Sequence, residues 1–353
     1  MPDAAERPKG VPHDKYERLV KLARTQTTIK VAVAHPCDDV SLEGAVEAAR
    51  LRLIAAAQNQ TKIKVAVAHP CDDVSLRGAI EAHKLGLIDP ILVAPPERLQ
   101  TAAKEANLDI ATFENLTSAH SHDSAAKAVE LVKAGRVEAL MKGSLHTDEL
   151  MGAVVSREGI RTERRISHCF IMDVPGHAEP IIITDAAVNI APDLDAKVDI
   201  VQNAIDLADA MGDAEVRVAL LSAMETVTAK VPSTVEAAAL CKMADRGQIT
   251  GALLDGPLAL DNAISREAAA IKKIASPVAG RANVLVVPDL EAGNMLAKSL
   301  SFLAGADAAG IVLGARVPII LTSRADSLLS RLASCAVAVM VAAARRKATV
   351  PSR

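Results

Sequence analysis

The segment Met141–Leu150, MKGSLHTDEL, has the residue types and the spacing of a phosphate-binding loop. It follows a predicted strand and precedes a predicted helix, so the first N–H groups of that helix would point at a ligand. Gly143 lets the backbone approach a ligand closely. Four side chains can donate hydrogen bonds: Lys142, Ser144, His146 and Thr147. The alternative is that Thr147 only caps the helix, and the pattern does not separate the two.

A second loop with anion-binding character is LTSRADS, Leu321–Ser327, which ends a predicted strand and opens the last long helix. Ser323 and Arg324 stand where the helix N-terminus would point at a ligand. Asp326 is within reach as a base, or it only stabilises the helix dipole. Arg316 lies in the preceding turn and adds a positive charge.

Acidic and amide residues follow two other predicted strands, in LLDGPLALDNA and VVPDLEAGN. They supply Asp255, Asp289 and Asn294 as substrate-binding candidates. The acids lie on separate loops with no histidine or cysteine at ligand spacing, so we do not expect a metal site. The run RTERRISH carries Arg161, Arg164 and Arg165, which could clamp a phosphate but fit a solvated face better.

Four familiar motifs are missing from the sequence. The HPC tripeptides have no C-x-x-C or H-E-x-x-H partner, which argues against zinc and a cysteine nucleophile. No strand is followed by G-x-G-x-x-G, and no Walker lysine motif occurs. The motifs therefore give no support to a zinc, dinucleotide or P-loop nucleotide site.

Short apolar runs alternate with amphipathic stretches along the chain, which predicts an α/β fold with mostly parallel sheets flanked by helices. The polar loops above follow the strands, where open α/β sheets bind ligands. The predicted elements that place them include strands at Lys64–Ala68, Val137–Met141 and Cys169–Val174, and helices at Glu291–Leu303 and Ala325–Ala344.

Composition excludes several classes of protein. The net charge is −3 and the aromatic residues are only Tyr16, Phe113, Phe170 and Phe302, which argues against nucleic-acid binding. The most apolar helix candidate, Leu332–Ala344, is too short to span a bilayer. An odd count of five cysteines and a polar N-terminal stretch predict a cytoplasmic protein with reduced thiols.

The sequence VAVAHPCDDVSL occurs twice, at Val31–Leu42 and Val65–Leu76, with an offset of 34 residues. Two copies do not make a solenoid. The second copy runs directly into another predicted strand, so we expect it to occupy the core position. We expect the first copy to form an added, peripheral helix over Leu42–Ala57.

Five segments together resemble, in order, the phosphate acetyl/butyryltransferase family: MKGSLHTDELM, ITDAAVNIAPDL, LLDGPLALDNAIS, VVPDLEAGNMLAK and VPIILTSRADS. The resemblance covers Lys62 to Arg346 and is greatest to the phosphotransacylase portion of fusions with an enoyl-CoA hydratase. It implies a fold like that of isocitrate and isopropylmalate dehydrogenases, with the active site in an interdomain cleft. The expected domains are residues 62–166 with 306–353, and 167–305, after an N-terminal segment, 1–61, that carries the duplication.

The resemblance also implies a reaction, in which acyl-CoA and phosphate give acyl phosphate and CoA without a metal or cofactor, in a homodimer. The resemblance assigns phosphate binding and oxyanion stabilisation to Arg324, and it assigns contact with the thioester to Ser323. Acetyl-specific members carry an aspartate base where Ser330 stands and an arginine where Phe302 stands, so Asp326 is our replacement base. Acetyl transfer is expected first, and butyryl transfer or a silent CoA-ester or acyl-phosphate binding protein are the alternatives.

Overall fold

The computed structural model describes residues 52–322 and 326–349, and within them eleven strands form one sheet. The strands in chain order are β1 (Ile63–Ala68), β2 (Ile88–Ala94), β3 (Glu114–Thr117), β4 (Ala139–Lys142), β5 (Ser167–Asp173), β6 (Ile181–Thr184), β7 (Arg217–Leu221), β8 (Leu253–Leu258), β9 (Val284–Val286), β10 (Asp307–Leu313) and β11 (Ile319–Ile320).

Helices cover both faces of the sheet, as predicted for buried apolar strands. They are α1 (Asp73–Lys84), α2 (Pro96–Glu105), α3 (Ser121–Lys133), α4 (Thr147–Val155), α5 (Leu194–Met211), α6 (Pro232–Asp245), α7 (Leu260–Ile264), α8 (Arg266–Ile271), α9 (Leu290–Leu303) and α10 (Leu328–Thr349). Residues 52–58 are helical as well.

The strand order is β3-β2-β1-β4-β11-β10-β5-β6-β9-β7-β8, and the sheet is parallel in two separate parts. Strands β3, β2, β1, β4 and β11 are parallel to one another, and so are β6, β9, β7 and β8. Three antiparallel pairings lie between these parts: β11 with β10, β10 with β5, and β5 with β6. The two parallel parts therefore run in opposite directions, and their carboxyl ends lie at opposite edges of the sheet.

The helix α10 is a core element. By length and hydropathy Leu328–Ala348 could cross a bilayer, but 72% of its apolar window is buried inside the protein. Cys335 and Val337 are fully buried, and the helix packs on β10, α1 and α5. Burial of this kind is expected of the central helix of a soluble fold.

The second copy of the duplicated sequence forms β1 and α1, with β1 paired between β2 and β4. The strand part of the first copy lies outside the described residues. Its last part, residues 52–58, is helical, and Ile54 and Ala57 are 5% and 1% exposed in the core. Gln58 donates a hydrogen bond to the Leu85 carbonyl, 2.8 Å away. This end of the first copy is thus more integrated than the expected peripheral helix.

Deleting residues 28–61, one full period, is expected to leave a protein that folds and keeps its activity, because no candidate site residue lies in the deleted segment. The loss of buried Ile54 and Ala57 should lower the free energy of unfolding by about 2–3 kcal/mol. Urea denaturation and an activity assay on the shortened chain measure both. A shortened protein that folds but is inactive would show that the first copy serves the site.

Candidate active site

A cavity of about 850 Å³ opens where the carboxyl end of β4, one face of β5 and the helix α9 meet. Its volume is in the range of small-molecule sites. Strand β5 contributes His168, Phe170 and Met172, which alternate along the strand and so share one face. Leu321 and Thr322 after β11, and Asp326 and Ser327 before α10, also line the cavity. Residues from four elements thus converge on one space.

Lys142 brings a buried positive charge to the cavity wall. It is the last residue of β4, and the whole residue is 5% exposed. Its Nζ donates to the carbonyl oxygens of Gly143 at 3.3 Å and Leu145 at 3.1 Å. These carbonyls offset part of the cost of burying an ammonium group, and they aim it at the cavity.

The rest of this loop is divided between the cavity rim and the scaffold. His146 and Thr147 are exposed and line the cavity at the start of α4. The His146 backbone N–H donates to Glu149 at 2.8 Å, which fixes the helix start. Ser144 instead donates to the His69 carbonyl at 2.8 Å and accepts from the Cys71 N–H at 3.3 Å. Ser144 therefore ties the loop after β4 to the loop after β1.

Gly143 is required by this close approach. A Cβ at this position would lie 2.4 Å from the carbonyl oxygens of both Ala68 and His69. The same carbonyls accept the N–H groups of Gly143 and Ser144 at 2.9 Å. The sequence analysis assigned this glycine to ligand approach, whereas the structure uses it for contact between two loops.

The helix α9 forms the facing wall. Asn294 lines the cavity and donates to the Ala186 carbonyl at 3.3 Å. Lys298 and Phe302 lie further along the helix, and Phe302 is 82% exposed at the cavity mouth. Asp289, by contrast, caps α9 by accepting from the Ala292 N–H at 2.8 Å, and it does not line the cavity.

The segment between β11 and α10 borders the cavity at both of its ends. Ser323 and Arg324 lie outside the described residues. Thr322 before them and Asp326 after them both line the cavity. Thr322 accepts a hydrogen bond from Arg331, 2.8 Å away.

Sequence reasoning missed Arg331, although it follows the helix start by one turn. It is 3% exposed. Burial lowers the pKa of its guanidinium from the ordinary value, and the carboxylates of Asp326 and Asp72 oppose that shift. It therefore places a second buried positive charge next to Thr322, which lines the cavity.

Two predicted substrate-binding residues lie elsewhere. Asp255 is on β8 at the far edge of the sheet, and its carboxylate accepts from the Gly256 N–H at 2.8 Å. β8 is the last strand in the sheet order, four strands beyond β5, and this position keeps Asp255 away from the cavity. Arg316 lines a separate cavity of about 650 Å³ that Arg164 and Arg345 also line. Arg164 pairs there with Asp206.

The cysteines of the described chain are poor nucleophiles. Burial raises the pKa of the Cys71 thiol to about 11, and that of Cys169, Cys241 and Cys335 to about 12. All four are therefore thiols at neutral pH. Within residues 52–322 and 326–349, no group of three or more His, Cys, Asp or Glu side chains is placed to hold a metal ion.

Comparison with known proteins shows which family has this sequence and architecture. The family model described as phosphate acetyl/butaryl transferase matches residues 111–339. A phosphate acetyltransferase from Rhizobium meliloti is 67% identical over 95% of this chain and 96% of its own. A phosphate butyryltransferase from Clostridium acetobutylicum is 39% identical over 73% of this chain and 86% of its own.

A solved structure agrees with both. The branched-chain phosphotransacylase from Enterococcus faecalis V583 is 31% identical and superposes with a TM-score of 0.70, covering 79% of this chain and 99% of that one. The similarity therefore extends over sequence and fold, and it includes the strands and loops that build the cavity. The chain belongs to the phosphate acetyl/butyryl transferase family.

Proposed function

We propose that this protein transfers an acyl group, acetyl in the first instance, reversibly between coenzyme A and inorganic phosphate. One observation carries the proposal: a single cavity joins the loop of Lys142, His146 and Thr147 to both flanks of Ser323 and Arg324. The relatives that are phosphate acetyltransferases support acetyl as the group. The substrates are acyl-CoA and phosphate, and the reaction needs no cofactor.

In this proposal Arg324 binds phosphate and stabilises the oxyanion that develops on the thioester, and Ser323 contacts the thioester. Lys142 and the first turn of α4 attract phosphate from the opposite wall. Asn294 is held in place by its hydrogen bond to the Ala186 carbonyl oxygen. Catalysis then consists of removing water from phosphate and aiming it at the thioester carbon.

The proposal includes a cleft between two α/β domains, residues 62–166 with 306–353, and residues 167–305. Its support is that the cavity takes Lys142 and Asp326 from the first range and His168 and Asn294 from the second. A homodimer is proposed from the family resemblance alone, and a cytoplasmic location from the cysteine composition. Light scattering of the purified protein tests the homodimer separately.

Thiol release from acetyl-, propionyl- and butyryl-CoA tests the function. Each is incubated with the full-length protein, with and without phosphate. We expect release only with phosphate and the highest kcat/KM for acetyl-CoA. Binding of acetyl-CoA without phosphate-dependent release would favour the silent binding protein, for which Ser330 in the place of an aspartate is the supporting feature. A butyryl-CoA preference would favour the butyryltransferase.

A further inference from the structure

His168 is a buried imidazole on the cavity wall that sequence reasoning did not assign. The residue is 1% exposed and lines the cavity from β5. Its Nδ1 is buried and has no hydrogen-bond partner within the described chain. Buried polar atoms nearly always have partners, so an unpartnered one in the wall of a cavity points to a group that the cavity receives.

The imidazole is held at the end of β11. Its ring meets Phe170 edge to face, with centroids 4.3 Å apart. A Cβ on Gly310 would lie 3.0 Å from His168 Nε2 and 2.7 Å from the Leu321 carbonyl oxygen. His168 Nε2 and the carbonyl oxygen of Leu321 therefore both lie close to Gly310. Leu321 is two residues before Ser323 in the chain. Glycine at 310 leaves the room that the ring needs there.

Burial keeps the His168 imidazole neutral in the free protein. Burial lowers its pKa to about 4, and the Asp185 carboxylate opposes that shift. Both Asp185 oxygens are occupied by N–H groups of the following turn, so this carboxylate acts on the ring only through its field. The other charged groups that line the cavity are Lys142, Lys298, Asp307 and Asp326. A neutral imidazole is free to accept a proton, and an anionic substrate beside it would stabilise the charged form.

We propose that His168 is a catalytic residue that carries the proton of the attacking phosphate to the departing thiol. The inference rests on the proposed function. As a phosphate oxygen forms its bond to the thioester carbon, the P–OH proton passes to the imidazole. The tetrahedral adduct then expels the thiolate, the C–S bond breaks, and the imidazolium returns the proton to sulfur. Acyl-CoA and HPO₄²⁻ thereby give acyl phosphate dianion and CoA thiol, with charge and protons balanced.

The other candidate bases are less suitable. Ser330 is a hydroxyl that interacts with Ser327 Oγ at 3.1 Å, and a serine hydroxyl is not a base at neutral pH. Asp326 interacts with the buried guanidinium of Arg331, so its carboxylate already has a charged partner. His168 has no such partner, and it faces the same cavity.

The test is His168→Asn in the full-length protein, assayed in the direction of acetyl phosphate and CoA. In this direction the base must remove the thiol proton. We expect kcat at pH 7 to fall by about 10²-fold, with the KM for CoA within a few-fold of wild type. Near pH 9.5 most CoA is already thiolate, given a thiol pKa of about 8.5, so the deficit should shrink to below about 10-fold. A merely structural role would give a deficit that does not depend on pH.

The matched control is His83→Asn, which removes a half-buried imidazole that bonds to the Ile88 carbonyl, far from the cavity. It should keep the wild-type rate at both pH values. If His168→Asn does not fold, His168→Gln carries the same expectation. Variant rates close to wild type, or a pH-independent deficit, would overturn the role of His168 alone. Absence of phosphate-dependent thiol release by the wild-type protein would overturn the proposed function together with this step.

Discussion

Lys142→Met is expected to lower phosphotransacylase kcat/KM by about 10²–10³-fold, the range seen when one charge-stabilising donor is removed. Methionine fills nearly the same volume and keeps the burial, but it removes the ammonium group beside the cavity. The unfolding temperature should change little, since the lost hydrogen bonds go to two carbonyls next to an open cavity. Initial rates at varied phosphate concentrations should show that most of the loss is an increase in the KM for phosphate.

Lys127→Met is the matched control for that variant. Lys127 also bonds a backbone carbonyl, that of Thr117 at 2.9 Å, but it lies on the surface of α3 outside the cavity. Its variant should retain wild-type kinetics. If Lys142→Met folds normally and turns over within a few-fold of wild type, Lys142 is a scaffold residue and the proposed phosphate site is misplaced.

The sequence predicted the local elements of this fold well because their signal is local. The predicted strands at Lys64–Ala68 and Cys169–Val174 overlap β1 and β5, and the predicted helix Glu291–Leu303 nearly coincides with α9. The strand β3, Glu114–Thr117, was missed because it is a polar edge strand with mostly exposed residues and no apolar run. Short apolar runs mark buried strands, and an edge strand does not need one.

The direction of the strands could not be read from periodicity. The pattern predicted mostly parallel sheets, and the reversal through β10, β5 and β6 depends on tertiary pairing. Asp255 lies away from the cavity because β8 is the last strand of the sheet, whereas Lys142 ends β4 beside the cavity. Asp289 was predicted to bind substrate, and it does lie at the start of α9. It caps the N-terminus of that helix instead of facing the cavity.

His168 and Arg331 were missed for a different reason. His168 is the last residue of the arginine run RTERRISH, and the charge pattern of that run predicts a solvated segment. The run does pair on the surface, for example Arg164 with Asp206, but β5 begins inside it and turns His168 inward. The alternation of His168, Phe170 and Met172 was a usable signal, because period-two spacing places all three on one face.

Gly143→Ala is expected to destabilise the protein by about 4 kcal/mol or more, which is among the largest effects of single substitutions. The new Cβ would lie 2.4 Å from two backbone carbonyl oxygens, and backbone cannot move aside as a flexible side chain can. Relieving the clash separates the loops after β1 and β4. It breaks the bonds from the Gly143 N–H to Ala68 and from the Ser144 N–H and hydroxyl to His69, each worth about 0.5–1.5 kcal/mol. Urea denaturation measures the loss, and activity should fall with it because Lys142 and the start of α4 move.

Gly152→Ala is the control, since nothing lies within 4 Å of its added Cβ in α4, and there alanine should stabilise the helix by about 0.5–1 kcal/mol. Equal stabilities for the two variants would mean that the loop contact at Gly143 is not as close as the structure has it.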